Sequence, residues 1–151
     1  MGTPDSYWQA HQDILAGGTA GTGDGPGIDL DDPTWPVRTT GAHRPPARIE
    51  ASASVENSLV SPACRVAGRV VDSVLSPGVV VEEGAVVRAS VVLHDAVVRS
   101  GARVERAIVD AGVEVGPGVT VRSDDPENPT AVLGATDDGA DDNEILSDGD
   151  V

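Results

Sequence analysis

Small aliphatic residues recur through the middle of this chain at a spacing of six, six and five. The series runs Leu75, Val81, Val87, then Val92, Val98, Val104, then Val109, Val115, Val121. Two residues before each stands a smaller partner: Ser73, Val79, Ala85, Ser90, Ala96, Ala102, Ala107, Val113 and Val119. Alternate residues of a strand share a face, so each pair predicts the inward edge of one short strand. The segments 72–88, 89–105 and 106–122, each 17 residues long, superpose without a gap. A helix would need apolar residues three and four apart, and the series does not supply them. Val dominates, and Gly78, Gly84, Gly101, Gly112 and Gly118 fall between the pairs, as short strands joined by tight turns require. The period therefore predicts a mainly β chain wound as a triangular parallel β-helix, with three sides per coil. Coils about 4.8 Å apart share one core, with Leu75 under Val92 under Val109 and the other columns likewise.

The repeat continues upstream in weaker form. Residues 57–71 match 72–88 with two positions deleted after Val66, and 46–56 have room for a degenerate capping coil. That makes about four coils. Residues 4–16 predict a short helix, with Thr3 as its cap, Pro4 in its first turn and Asp5 favouring its N-terminal dipole. Its apolar residues are Tyr7, Trp8, Ala10, Ile14 and Leu15, whose spacing is only loosely helical. The resulting organisation is a helix in 1–15, a linker in 16–45, the β-helix in 46–122 and an acidic tail in 123–151. Within the linker, Trp35 and Val37 are expected docking residues. The glycines of 16–28 lack both the Gly-Lys-Ser/Thr ending and the G-x-G-x-x-G spacing of phosphate-binding loops, so they read as flexible linker. The tail is expected to be poorly ordered, except for a possible short strand at Thr130–Leu133.

Composition narrows the function. The net charge is −15, and all ten basic residues are Arg. Residues 123–151 carry ten acids and no base. This balance excludes nucleic acid, which requires a basic surface to displace counterions, and disfavours an anionic membrane. No stretch is apolar and long enough to span a bilayer, and the N-terminus has no signal pattern, so a cytoplasmic location is expected. Aromatic residues make up 2% of the chain and Phe is absent, which suits a narrow prism filled by Val and Ala.

The chain offers no set of residues for catalysis, cofactor binding or metal binding. His94 is the single His within the coils. It reads as an exposed corner residue, although a His at a subunit interface is what a hexapeptide acyltransferase would use as its base. His11 and His43 are too isolated for a metal site. Cys64, the only Cys, is expected in the core against the Val79 column. Arg38, Arg44 and Arg48 read as solvated linker charges rather than an anion site.

A second set of marks lies outside the repeat. Gly2-Thr3-Pro4-Asp5-Ser6-Tyr7-Trp8-Gln9-Ala10, Leu30-Asp31-Asp32-Pro33-Thr34-Trp35-Pro36-Val37-Arg38-Thr39 and Pro45-Pro46-Ala47-Arg48-Ile49 occur in that order, followed by Asn57-Ser58-Leu59-Val60-Ser61, Cys64 and Ser73-Val74-Leu75-Ser76-Pro77-Gly78-Val79. Together they resemble the C-terminal region of bacterial glucose-1-phosphate adenylyltransferases across nearly all of 2–122. The resemblance implies that the β-helix winds left-handed. It implies a nucleotidyltransferase family making ADP-glucose and pyrophosphate from ATP and glucose 1-phosphate with Mg²⁺, for glycogen synthesis. It further implies that residues 1–15 are the end of a catalytic domain whose acids and nucleotide loop precede Gly2, so no catalytic residue carries over. The expectation is an oligomerisation and regulatory module, inactive alone, that forms homo-oligomers or joins a catalytic nucleotidyltransferase domain. ATP and Mg²⁺ would bind only with that domain. Tyr7, Trp8, Ile14 and Trp35 would then be exposed apolar residues awaiting it. The alternatives are a stand-alone structural oligomer and, less favoured, a hexapeptide acyltransferase. The Gly-rich insertion at 16–28, the shortened coil and the acidic tail depart from the family pattern.

Overall fold

A computed structural model describes residues 2–17, 32–36, 41, 43–127 and 129–134. Of the Gly-rich linker expected at 16–28, Ala16 and Gly17 are instead helical, and residues 18–28, with Val37, Arg38 and the part of the acidic tail in 135–151, lie outside the described residues.

Fifteen strands of two or three residues form three parallel sheets of five strands each. The first sheet contains β1 (Arg48–Ile49), β4 (Arg65–Val66), β7 (Val80–Val81), β10 (Val97–Val98) and β13 (Glu114–Val115). The second contains β2 (Ser54–Glu56), β5 (Arg69–Val71), β8 (Val86–Arg88), β11 (Arg103–Glu105) and β14 (Thr120–Val121). The third contains β3 (Leu59–Val60), β6 (Val74–Leu75), β9 (Val91–Val92), β12 (Ala107–Val109) and β15 (Ala131–Leu133). Each strand pairs with the strands three before and three after it, which is the topology of a three-sided solenoid. Four complete coils run from β3 to β14. They are preceded by β1 and β2 and followed by β15.

The columns read from the sequence are the observed registers. Leu75 pairs with Val92, Val81 with Val98 and Val87 with Val104. All nine of the six-six-five positions are buried, as are Ala85, Ala96 and Ala102 beside them. Single coils expose this face, and stacking hides it, so the core exists only between coils.

The corner between the second and third sheets is built from residues with positive φ that are not glycine. Asn57, Asp72, Ala89 and Arg106 have φ between 42° and 49° and stack one above another. Ser58, Ser73 and Ser90 follow them, and each serine oxygen accepts from the next coil: Ser73 N–H to Ser58 Oγ, Ser90 N–H to Ser73 Oγ, Ala107 N–H to Ser90 Oγ, at 3.1 to 3.2 Å. These hydroxyls satisfy amides that the turn removes from the strand ladder, which is why Ser sits at an inward, buried position.

Two features extend beyond the period. The two-residue deletion falls between β4 and β5, where Ala67 and Gly68 alone make a corner that takes four residues in the next coil. The expected strand near Thr130 is β15, which pairs in parallel with β12. It carries the solenoid to Leu133, past residue 122. Residues 123–127 form side-chain turns before it, with Asp125 N–H donating to Ser123 Oγ and Glu127 N–H to Asp125 Oδ1.

The one helix among the described residues, α1 (Pro4–Gly17), begins as expected. Ser6 N–H donates to Thr3 Oγ1 at 3.1 Å, a capping bond.

Candidate interaction surface

The three outer faces of the prism differ, and the differences define what each can bind. The third sheet is occupied in its middle, while Leu59 at its start is exposed. Its outward column is Leu59, Val74, Val91, Ile108 and Val132. Val91 and Ile108 are buried although they point away from the core, because α1 lies over β12.

The docking of α1 follows from two repeat lengths. A helix advances about 5.3 Å in three and a half residues, close to the ~4.8 Å rise of one coil. Residues of α1 spaced three and four apart therefore meet successive corners. Gln12 Nε2 donates to Asp72 O at 3.0 Å. The Trp8 indole N–H donates to Ala89 O, one coil further on. Asp5 Oδ1 accepts from Arg106 Nη2 at 3.0 Å, one coil further again. Leu15, the next residue in this 3-4-3 series, is buried.

Arg106 is the hub of this contact. Its guanidinium carbon lies 4.1 Å from the centre of the Trp8 ring, a cation–π arrangement. The stacking covers Nε, which is buried without a hydrogen-bond partner among the described residues. Thr130 Oγ1 also donates to Asp5 Oδ1, at 2.9 Å. One carboxylate thus ties the start of α1 to a corner and to the residue before β15. The Arg106 and Thr130 hydrogen bonds hold the Asp5 carboxyl below the usual carboxylate range. A depressed pKa means that the contact stabilises fully above the ordinary carboxylate range and is lost as pH falls through the depressed value. We expect α1 to undock on acidification, read as loss of helical circular dichroism below roughly pH 4. In Asp5→Asn the acid-dependent component should disappear and the dock should already be weaker at neutral pH. An unchanged acid profile in Asp5→Asn would show that another carboxyl controls it.

The first sheet presents a face whose charges neutralise one another. Glu50 Oε1 lies 3.3 Å from Arg48 Nε and 3.2 Å from Arg65 Nη2. Arg99 bridges Glu82 at 3.0 Å and Glu114 at 2.7 Å, which holds the Glu114 carboxyl low. Between these two clusters stand the half-buried outward residues Val80 and Val97. The second sheet presents the exposed arginines Arg69, Arg88 and Arg103.

The individually weighed residues fall as follows. His94 is an exposed corner residue. Beside it, Asp95 pairs with Arg44 at 2.9 Å, which pulls the Asp95 carboxyl down. His11 Nδ1 lies 2.9 Å from Tyr7 O and its ring packs on Tyr7, while His43 is exposed. No three His, Cys, Asp or Glu residues cluster as metal ligands among the described residues. Cys64 is buried under Val79 as expected, and burial pushes its thiol pKa up. Arg44 and Arg48 are ion-paired rather than free. Trp35 does not dock: it is 76% exposed, in a turn where Thr34 N–H and hydroxyl both donate to Asp32 Oδ1. Nor is Trp8 an exposed residue awaiting a further domain, since the corner of the same chain takes its ring. Sequence reasoning missed Arg106, Gln12 and Thr130, because the short period says nothing of what lies outside the coils. No helix in the described residues is long and apolar enough to cross a membrane.

Comparison with known proteins agrees with this geometry. Residues 45–140 match the family model described as GlmU-like, C-terminal hexapeptide. A glucose-1-phosphate adenylyltransferase of Desulforamulus reducens is 39% identical over 114 residues, covering 76% of this chain and 26% of the relative. Proteins of the same name from Bacillus mycoides and Bacillus anthracis are each 35% identical over 122 residues, covering 81% of this chain and 31% of theirs. The chain therefore spans about a quarter to a third of the length of the curated relatives it matches.

Proposed function

The chain belongs to the GlmU-like, C-terminal hexapeptide family, and from that premise we propose that it is the assembly and regulatory module of a glucose-1-phosphate adenylyltransferase. The reading places nucleotidyl transfer in a partner catalytic domain and gives the β-helix the task of joining copies. The observation that carries it is the first sheet's outer face. Solenoid faces associate when they combine apolar contact with no net repulsion. Val80 and Val97 supply the former, and the Arg48–Glu50–Arg65 and Glu82–Arg99–Glu114 clusters supply the latter. On the third sheet α1 already covers Val91 and Ile108, and the second carries unpaired like charges.

The test is sedimentation velocity on the parent and on the double variant Val80→Glu, Val97→Glu. Both positions lie outside the core, so far-UV circular dichroism should be unchanged. The parent should sediment as an oligomer and the variant as a single chain. A parent that stays monomeric up to its solubility limit would remove the assembly reading. An oligomer indifferent to both substitutions would move the interface to another face.

A further inference from the structure

Nine of the ten arginines fall among the described residues, and they divide into two groups. Arg44, Arg48, Arg65, Arg99, Arg106 and Arg122 each have a carboxylate within 4 Å. Arg69, Arg88 and Arg103 have none among the described residues, and all three are exposed. Unpaired guanidiniums are unexpected in a chain of net charge −15, and these three share one face.

The register places them. Arg69 and Arg103 both pair with Val86, from opposite sides, so they flank it in one outward column of the second sheet. Arg88 stands two residues beyond Val86 on the same strand and faces the same way. The patch is thus about 10 Å along the solenoid axis and about 7 Å across it. Glu105 adjoins Arg88 in register and Glu56 lies at the far end of that column. These two acids reduce the charge of the face without engaging any of the three guanidiniums.

We propose that the acidic segment 135–151 of the same chain docks along this arginine face. The first ground is complementarity. The segment ATDDGADDNEILSDGDV holds seven acids and no base, and an extended acidic chain can meet guanidiniums on successive coils with charge-assisted hydrogen bonds. The second ground is reach. The described chain leaves the solenoid at Gly134, just after β15 on the third sheet, at the corner with the first sheet, because β15 runs parallel to β12. The second sheet is then one full side of the prism away, and seventeen residues, which can span up to about 55 Å, are enough to cross it. The third ground is the selectivity of the pairing: every other described arginine already has a carboxylate within 4 Å, so among the described residues this face alone offers guanidiniums without one. A dock of this kind neutralises the second sheet and keeps it from joining other surfaces, leaving the first sheet as the open face.

The test uses the full chain with Ser147→Cys carrying a nitroxide spin label. Cys64, the only native cysteine, is 1% exposed, so labelling is confined to residue 147. At about 0.1 M salt the label should quench amide signals of Arg69, Val86, Arg88 and Arg103 while sparing β7 and β10 on the first sheet. The effect should vanish near 1 M salt, where charges are screened beyond about 3 Å. It should vanish also in the triple variant R69Q/R88Q/R103Q, whose substitutions touch no core position. Quenching spread evenly over the first and second sheets, or unaffected by the triple variant, would overturn the proposal. A mixture of labelled chains with unlabelled ¹⁵N chains separates the remaining case. If quenching arises only between chains, the occupant is the tail of a second copy and the proposal of self-docking fails.

Discussion

Gly68→Ala is expected to lower the melting temperature by about 10 °C, corresponding to about 3 kcal/mol of overpacking in a chain of this size. The reason is the two-residue deletion in the first complete coil. With Ala67 and Gly68 alone between β4 and β5, the corner is drawn in against the coil above. A Cβ on Gly68 would collide with the carbonyl oxygen of Ala85 and come within 2.7 Å of the Glu82 oxygen. Neither oxygen can yield. Ala85 O accepts from Arg69 N–H at 2.9 Å, and Glu82 O accepts from Ala85 N–H at 3.1 Å. Moving the first breaks a rung of the ladder that joins the coils, and moving the second opens the turn between β7 and β8. Gly112→Ala is the informative control. Gly112 has φ of 72° and open space around it, so the same methyl group costs only the left-handed conformation, about 1 to 2 kcal/mol. Thermal melts of the two variants side by side decide the matter. Gly68 is not among the positive-φ glycines, so a loss no larger than that of Gly112→Ala would mean that the coils yield to the methyl group and that their close approach is not what makes Gly68 necessary.

Trp8→Ala should release α1. The substitution removes the indole bond to Ala89 O, the ring over the Arg106 guanidinium and the half-buried ring itself, together about 2 to 3 kcal/mol. A helix of 14 residues is marginal in water without a surface to pack on, so undocking should also melt it. The expected signature is loss of helical circular dichroism with the β signal intact, together with new proteolytic cleavage within residues 4–17. The solenoid core contains no α1 side chain among its clustered residues and should survive. Retained helical signal and protease resistance would show that Gln12, Asp5 and Leu15 hold the helix without the indole. Release of α1 would expose Val91 and Ile108, so the variant should also self-associate more readily.

The proposed module thus has one face part-covered by α1, one charged face and one self-neutralised apolar face. Assembly, the helical dock and the acidic segment act on different sides of the same prism. Failure of the assembly test would leave the tail proposal standing, because the two concern different sheets and different measurements.

The solenoid was legible in the sequence to the level of single residues. The columns through Leu75, Val81 and Val87 are covalently periodic, and parallel stacking converts a repeat in sequence directly into contact in space. Cys64 could be placed under Val79 by the same rule, and the deletion after Val66 by counting. The corner serines were visible as small residues, but their bonds to the next coil needed the backbone. What the sequence could not determine is how elements outside the period meet it. The docking stripe of α1 is Asp5, Trp8, Gln12 and Leu15, half of it polar, because it must answer outward carbonyls at Asp72 and Ala89 as well as an apolar sheet. The apolar residues of the segment, Tyr7, Trp8, Ala10, Ile14 and Leu15, include the ring and the leucine of this stripe but leave out Asp5 and Gln12. Likewise, no local pattern links Thr130 to Asp5 across 125 positions, or separates the three unpaired arginines from the six paired ones. Periodic contacts are fixed by chain connectivity, one coil after another. Contacts between the coils and the rest depend on which groups the corners leave unsatisfied, and only the assembled tertiary structure decides that.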